Sequence, residues 1–273
     1  MDHKIAESQK LKAKSKDENV NKDGFTRRSF LAISGAWGIA IIGGAFPTSV
    51  RSSQDDDQET IAYNWEEYDY AYLIDTTKCI GCGMCVQACK RENDVPDGFF
   101  RTWVERYRIG EGGRVVVDSP NGALSGFKHS PIDFRVTKAF FVPKMCNHCR
   151  NTPCIQVCPV GASYMTKDGV VFVDEKHCIG CGYCVQACPY GSRYMHPVKH
   201  VADKCTWCYH RITKGLRPAC IMACPREARA LGNLKNEDDP VRKIIATERV
   251  IILQPQLLTR PNCYYIGIDK EVK

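Results

Sequence analysis

The sequence predicts an α+β protein in which short strands lead into cysteine-bearing loops. Three observations carry that expectation. Sixteen of the seventeen cysteines fall into four groups of four. Two of these groups, CIGCGMCVQACK (Cys79 to Lys90) and CIGCGYCVQACP (Cys178 to Pro189), differ over their first eleven residues only at Met84 and Tyr183. Strand-like segments stand against the loops: AYLID before Cys79, AFFVPKM before Cys146 and GVVFVDEKHC running into Cys178.

The chain has 273 residues, enough for one large domain or two small ones. Seventeen cysteines imply a disulfide scaffold, zinc sites or iron–sulfur clusters, and disulfide scaffolds are usually much shorter secreted chains. Net charge is +7, of which the first fifty residues supply three; the rest is mildly basic, without a Lys/Arg run suited to nucleic acid. No nucleic-acid partner is expected.

In chain order, residues 1–46 form a polar leader, then Arg27-Arg28 and a weakly apolar stretch from Leu31 to Phe46. A twin arginine before a modest apolar region resembles a twin-arginine export signal. That route carries folded proteins, which suits cofactors inserted in the cytoplasm. The protein is therefore expected in the periplasm or at the outer face of the cytoplasmic membrane. The stretch is shorter than the roughly 20 residues of a membrane span, and no A-x-A site follows it, so cleavage and retention as an anchor both stay open. No later segment is long and apolar enough to span. Residues 47–69, with Asp55-Asp56-Asp57, read as a flexible acidic linker. The folded body is expected to begin near Tyr70.

Four cysteine loops follow. Cys79, Cys82, Cys85 and Cys89 are spaced C-x2-C-x2-C-x3-C, and Cys178, Cys181, Cys184 and Cys188 repeat the spacing before Pro189. Cys146, Cys149, Cys154 and Cys158 widen the middle gap to four residues, before Pro159. Cys205, Cys208, Cys220 and Cys224 widen it to eleven, before Pro225. This is the bacterial ferredoxin run, in which three cysteines bind one cluster and the fourth binds its neighbour. A tight loop wraps three thiolates around one face of a cubane, whose fourth iron points away from that loop. Gly81 and Gly83 allow the close backbone approach, and the proline fixes the exit. Lys90 replaces that proline in the first loop and reads as a local tolerance. CNHC and CTWC alone could each be half a zinc site, but zinc has no use for a third cysteine so soon after the second. Cysteines this close in sequence make poor disulfide partners. Two loops make one ferredoxin-like unit, so four loops imply two units and four 4Fe–4S clusters.

With these loops the chain resembles the iron–sulfur subunits of membrane-associated molybdopterin oxidoreductases, the polysulfide, thiosulfate, tetrathionate, dimethyl sulfoxide and formate enzymes. Similar subunits serve cytochrome-linked nitrite reduction and sulfate-reduction membrane complexes. The resemblance runs from Ala71 to Asp269. Besides the cysteines it rests on CNHCRNTPCIQVCPVGA (146–162), CIGCGYCVQACPYGSRY (178–194) and ADKCTWCYHRITKGLRPACIMACPREAR (202–229), with GNLKNEDDP (232–240) and QLLTRPNCYYIG (256–267) toward the end. It implies two nested units, an inner one at about 140–199 inserted in an outer one at about 70–100 and 200–235, with β-strand insertions and a tail over 236–273. It also implies the ligand sets: Cys146, Cys149 and Cys154 with Cys188; Cys178, Cys181 and Cys184 with Cys158; Cys79, Cys82 and Cys85 with Cys224; Cys205, Cys208 and Cys220 with Cys89. The implied role is electron transfer between a molybdopterin catalytic subunit and a multi-span membrane subunit handling quinone or quinol. A non-molybdenum respiratory complex is the alternative. The chain itself is expected to be non-catalytic and to bind no small-molecule substrate.

Between the loops, residues 91–144 form the longest cysteine-free insertion, with strands at RVVVD (114–118) and AFFVPKM (139–145) and turns in SPNGALSG. His148, His177 and His210 adjoin ligand cysteines but face complete cysteine sets, so supporting or surface roles are expected of them. Trp207 reads as apolar shielding and Cys263 as a small buried residue. Gly110, Gly112 and Gly113 lack a phosphate-loop context, and no nucleophile–base constellation is present.

Overall fold

The computed structural model describes residues 63–129, 131–269 and 272. Arg27-Arg28, the apolar stretch after them and residues 47–62 of the acidic segment lie outside the described residues. Tyr70–Asp75 forms β1, the middle strand of a three-stranded sheet. One edge pairs antiparallel with β9 (Arg229–Asn233) and the other parallel with β10 (Cys263–Ile266), so Tyr72 faces both Leu231 and Cys263. With both faces covered, β1 has no polar alternation: YAYLI is buried throughout.

The first cysteine loop enters α1 (Met84–Glu92). Next comes an antiparallel sheet of order β3–β2–β4, from β2 (Thr102–Gly110), β3 (Val115–Asp118) and β4 (Val136–Met145), in register from Thr102↔Met145 to a bulge at Ile109/Gly110. The expected strands in this insertion are present; β2, its centre, was not expected. TWVERYRIG alternates imperfectly because charged Glu105, Arg106 and Arg108 sit on a strand flanked on both sides.

The second loop carries α2 (Pro153–Gln156), then β5 (Ser163–Met165) paired with β6 (Val171–Val173). The third carries α3 (Tyr183–Gln186), then β7 (Arg193–Met195) paired with β8 (Ala202–Lys204). This second hairpin ends at Lys204, next to the first cysteine of the fourth loop. α4 (Tyr209–Ile212) and α5 (Ala219–Met222) belong to the fourth loop. α6 (Pro240–Thr247) starts with Pro240 at its first position and Asp239 as cap, its carboxylate accepting from the Val241 and Arg242 N–H groups. α1 packs on α5 and α2 on α3.

The main core gathers Tyr72, Ile74, Val86, Val104, Val142, Trp207, Leu253 and Tyr265 between the two three-stranded sheets and the outer loops. A smaller cluster of Cys154, Val171, Cys184 and Ala202 lies between the two hairpins. Residues 63–69, read in sequence as the end of the linker, are held against this body: the Tyr63 hydroxyl donates to Asp168 at 2.5 Å, and Leu234 N–H donates to the Asp69 carbonyl at 2.8 Å. Among the described residues no helix is long and apolar enough to cross a membrane.

Candidate metal centres

Each loop turns its first cysteines inward by left-handed backbone. Gly81 and Gly180 hold equivalent places in the two near-identical loops, with φ of 69° and 72°. An added Cβ at Gly81 would come 2.5 Å from the Phe141 ring, and one at Gly180 would meet the His200 carbonyl oxygen. Only glycine fits where these loops approach the body.

Cysteines from different loops line common spaces at two places and lie close at others. Site I is a small cavity lined by Cys79, Cys82, Cys85 and Cys224. At site II, Cys89 lies beside Cys205, Cys220 and Cys208. The Asn93 side-chain amide spans this site, with Nδ2 3.6 Å from the Cys89 sulfur and 3.8 Å from that of Cys208. Site III is a second small cavity, lined by Cys146, Cys149, Cys154 and Cys188. For site IV, Cys184 and Cys178 pack beside Cys154, and Cys158 follows α2, the helix against which α3 is packed. Cys263, buried on β10, directs its sulfur at the Cys146 carbonyl, 3.5 Å away, and belongs to none of the four sets.

The electrostatics suit a bound cation-rich group. Burial pushes Cys79 and Cys154 up to about 11 and Cys149 to about 12, the last further raised by Cys146. Burial and then the neighbouring sulfurs Cys220 and Cys208 push Cys205 up as well. Iron held by these cysteines would take the place of their protons and offset the repulsion between the thiolates. Polar hydrogens are already aimed at sulfur from the backbone: Trp207 N–H at Cys205 (3.3 Å), Ala228 N–H at Cys224 (3.3 Å) and Ala202 N–H at Cys178 (3.5 Å). The Tyr72 hydroxyl is 3.2 Å from the Cys220 sulfur. At Cys158 burial raises the thiol, but backbone N–H groups of Ser163, Val160, Ala162 and Gly161 outweigh it and the net shift is downward. N–H donation to sulfur is a main lever on cluster potential.

The histidines are occupied otherwise. His148 is fully buried and packed at a tilt against Trp207, ring centroids 4.0 Å apart. Its Nδ1 accepts from Val171 N–H at 2.9 Å, which leaves the ring proton on Nε2. Burial, then the charges of Lys204 and Arg193, hold it well below the usual histidine range, so it is neutral. His177 pairs with Asp174 and His210 with Glu92, both at 2.7 Å and both exposed. Trp207 is enclosed as expected.

The sites follow one another in space. Cys85 of site I lies near Cys220 of site II. Cys205 of site II lies near Cys146 of site III. Arg193 lies beside Cys154 and Cys146 of site III and Cys184 of site IV. Cys82 and Cys181, one at each end of this series, are the exposed cysteines among the described residues.

Three groups beside the cysteines escaped sequence reasoning: Asn93, Arg193 and Arg229. The two arginines had a legible signal, since each stands five residues after the last cysteine of its loop, in CPYGSR and CPREAR.

Cysteines of different loops around two cavities, on loops joined to small sheets, make a ferredoxin-like 4Fe–4S arrangement. Comparison agrees: family models described as 4Fe-4S dicluster domain match residues 78–162 and 137–234. Two dicluster domains and seventeen cysteines fit four 4Fe–4S clusters. A tetrathionate reductase subunit of Archaeoglobus fulgidus is 44% identical over 199 residues, 73% of this chain and 82% of the relative. Its namesake in Salmonella typhimurium is 39% identical over 202 residues, 73% of each protein. A polysulfide reductase subunit of Wolinella succinogenes is 34% identical over 200 residues, 72% of this chain and 93% of the relative. The protein belongs to this family of iron–sulfur electron-transfer subunits.

Proposed function

We propose that this chain conducts single electrons between a molybdopterin catalytic subunit and a multi-span membrane subunit that handles quinone or quinol. Four 4Fe–4S clusters at sites I to IV supply the reversible one-electron exchange when bound. The sixteen cysteines hold them as grouped above, in two ferredoxin-like units nested one within the other. The chain's own residues supply thiolates, N–H groups directed at sulfur, and a dry surround from Tyr72, Trp207 and Val171. No substrate pocket or catalytic constellation is invoked, and the chain acts as a conductor rather than an enzyme by itself. The twin arginine supports export of the loaded protein to the outer face of the cytoplasmic membrane.

One observation carries this reading. The two near-identical loops occupy opposite ends of the series of sites, and each exposes its second cysteine beside a bare apolar side chain: Cys82 beside Ile80, and Cys181 beside Ile179, which are 54% and 64% exposed. Between them, sites II and III are enclosed. A conductor with two contact ends and a sheltered middle needs two partners.

The test is anaerobic purification of the tagged protein from its native host in mild detergent, with mass spectrometry of what accompanies it and Fe, Mo and Zn measured on the same sample. Molybdenum or tungsten with a large pterin-binding subunit and a multi-span membrane protein is the expected result. Iron accompanied by cytochromes and no molybdenum would assign the conductor to the other kind of respiratory complex. Zinc without iron would sink the cluster reading.

A further inference from the structure

Arg193 opens β7 and Arg229 opens β9, each five residues after the last cysteine of its loop. The same place holds Ser163 after Cys158 and Asp94 after Cys89, so only two of the four loops carry the arginine. Both side chains are almost wholly buried. Each lines a cavity: Arg229 that of site I, Arg193 that of site III.

Each is anchored by a hydroxyl and left incomplete. Arg229 Nη2 donates to Thr102 Oγ1 at 3.0 Å, while its Nη1 has no hydrogen-bond partner. Arg193 Nη1 donates to Ser163 Oγ at 2.9 Å, while its Nε and Nη2 have none. Neither forms an ion pair with a carboxylate among the described residues. Arginine keeps its charge in proteins, and an isolated buried charge is expensive, so each site must supply the missing anion.

The neighbours say what that anion is. Arg229 lies beside Cys85 of site I and Cys220 of site II. Arg193 lies beside Cys154 and Cys146 of site III and Cys184 of site IV. A 4Fe–4S cluster held by four thiolates is negative overall, and reduction makes it more so. A fixed cation next to it favours the reduced form and raises its potential.

We propose that Arg229 and Arg193 are shared counter-charges, each set between two neighbouring cluster sites and each holding that pair at a higher midpoint potential than its ligands alone would give. The four sites are thereby tuned as two pairs, I with II and III with IV. The inference rests on the cluster reading above and adds positioning residues to it.

The experiment is an anaerobic redox titration followed by electron paramagnetic resonance on the full chain in its native complex, with iron and sulfide measured on every sample. In Arg229→Met the potentials of sites I and II should fall by at least a tenfold change in the reduction equilibrium, about 59 mV for a one-electron couple. Sites III and IV should not move. Arg193→Met should do the converse, and Arg→Lys at either place should retain most of the potential. Unchanged potentials in a fully loaded Met variant would overturn the proposal. If a Met variant does not load iron, Arg→Gln, which keeps an N–H donor without the charge, gives the same two readings. Loading by Lys but by neither neutral variant supports the need for charge, and failure of Lys as well assigns the arginine a packing role and overturns it. A wild-type chain without iron and sulfide would take down the cluster reading itself, which separates that failure from this one.

Discussion

Lys90 follows Cys89 where proline follows Cys158, Cys188 and Cys224, and the difference has a structural result. Proline at 189 removes an N–H and disfavours helix at the residue before it, and α3 stops at Gln186. With Lys90 in that place α1 continues through Cys89 to Glu92. The lysine amine then donates to the Pro96 carbonyl at 2.6 Å and the Phe99 carbonyl at 3.2 Å, fastening the chain that leaves the helix. The added turn delivers Glu92 to His210 and Arg211 of the fourth loop, and Asn93 to the sulfurs of site II. Lys90 is thus more than the local tolerance its sequence context suggests. Lys90→Pro should end α1 early and cost about 3 kcal/mol, read as a lowered midpoint in anaerobic thermal unfolding. A second contrast isolates close approach from backbone strain. Gly180 and Gly182 both have positive φ, so alanine at either costs roughly 1–2 kcal/mol. Only Gly180 also has backbone in the way, the His200 carbonyl, while Gly182 faces open space. Gly180→Ala should therefore lose iron from site IV as well as stability, and Gly182→Ala should lose stability alone; iron content against unfolding midpoint separates the two.

At the scale of elements, legibility followed how local the determinant was. Cysteine spacing is written within each loop, the widest running from Cys205 to Cys224, so the four loops and their glycines could be read directly. β1, β3, β4 and β6 were legible from their β-branched and aromatic runs. β2 was not, because its charges are neutralised by partners far along the chain: Arg106 by Asp118 at 2.7 Å, and Glu105 by Lys144 at 2.7 Å. β10 was read only as tail. Its place beside β1 depends on a parallel pairing that nothing within CYYI announces. The packing of Tyr63 was likewise hidden, since its partner Asp168 lies 105 residues away. The grouping of cysteines across loops came from the family likeness rather than from spacing, since the partners of one set lie on loops far apart in the chain.

Across the whole molecule the burial of the sites is graded. Every cysteine of site II is buried and site III exposes none, whereas Cys82 and Cys181 meet solvent at the ends. Oxidants reach metal–thiolate bonds by way of solvent, so the isolated chain in air should lose clusters at sites I and IV before those at II and III. Resonance spectra taken during timed air exposure would follow this, and equal loss at all four sites would contradict the graded burial. Partners seated over Ile80 and Ile179 should slow the loss at their own end only.

β1 is made early and completed late. Both of its neighbours, β9 and β10, come from the last part of the chain, and the Thr76 hydroxyl reaches across 190 residues to the Ile266 carbonyl. During synthesis, then, β1 waits with two open edges, while the hairpins β5–β6 and β7–β8 close from strands a few residues apart. The order of assembly is therefore hairpins first and the β1 sheet last. Sites III and IV have all their cysteines before translation ends, and site I has its sheet only once Ile266 has left the ribosome. The last strand is thus the closing step of the fold, because a chain cut short before it would present β1 with an open edge.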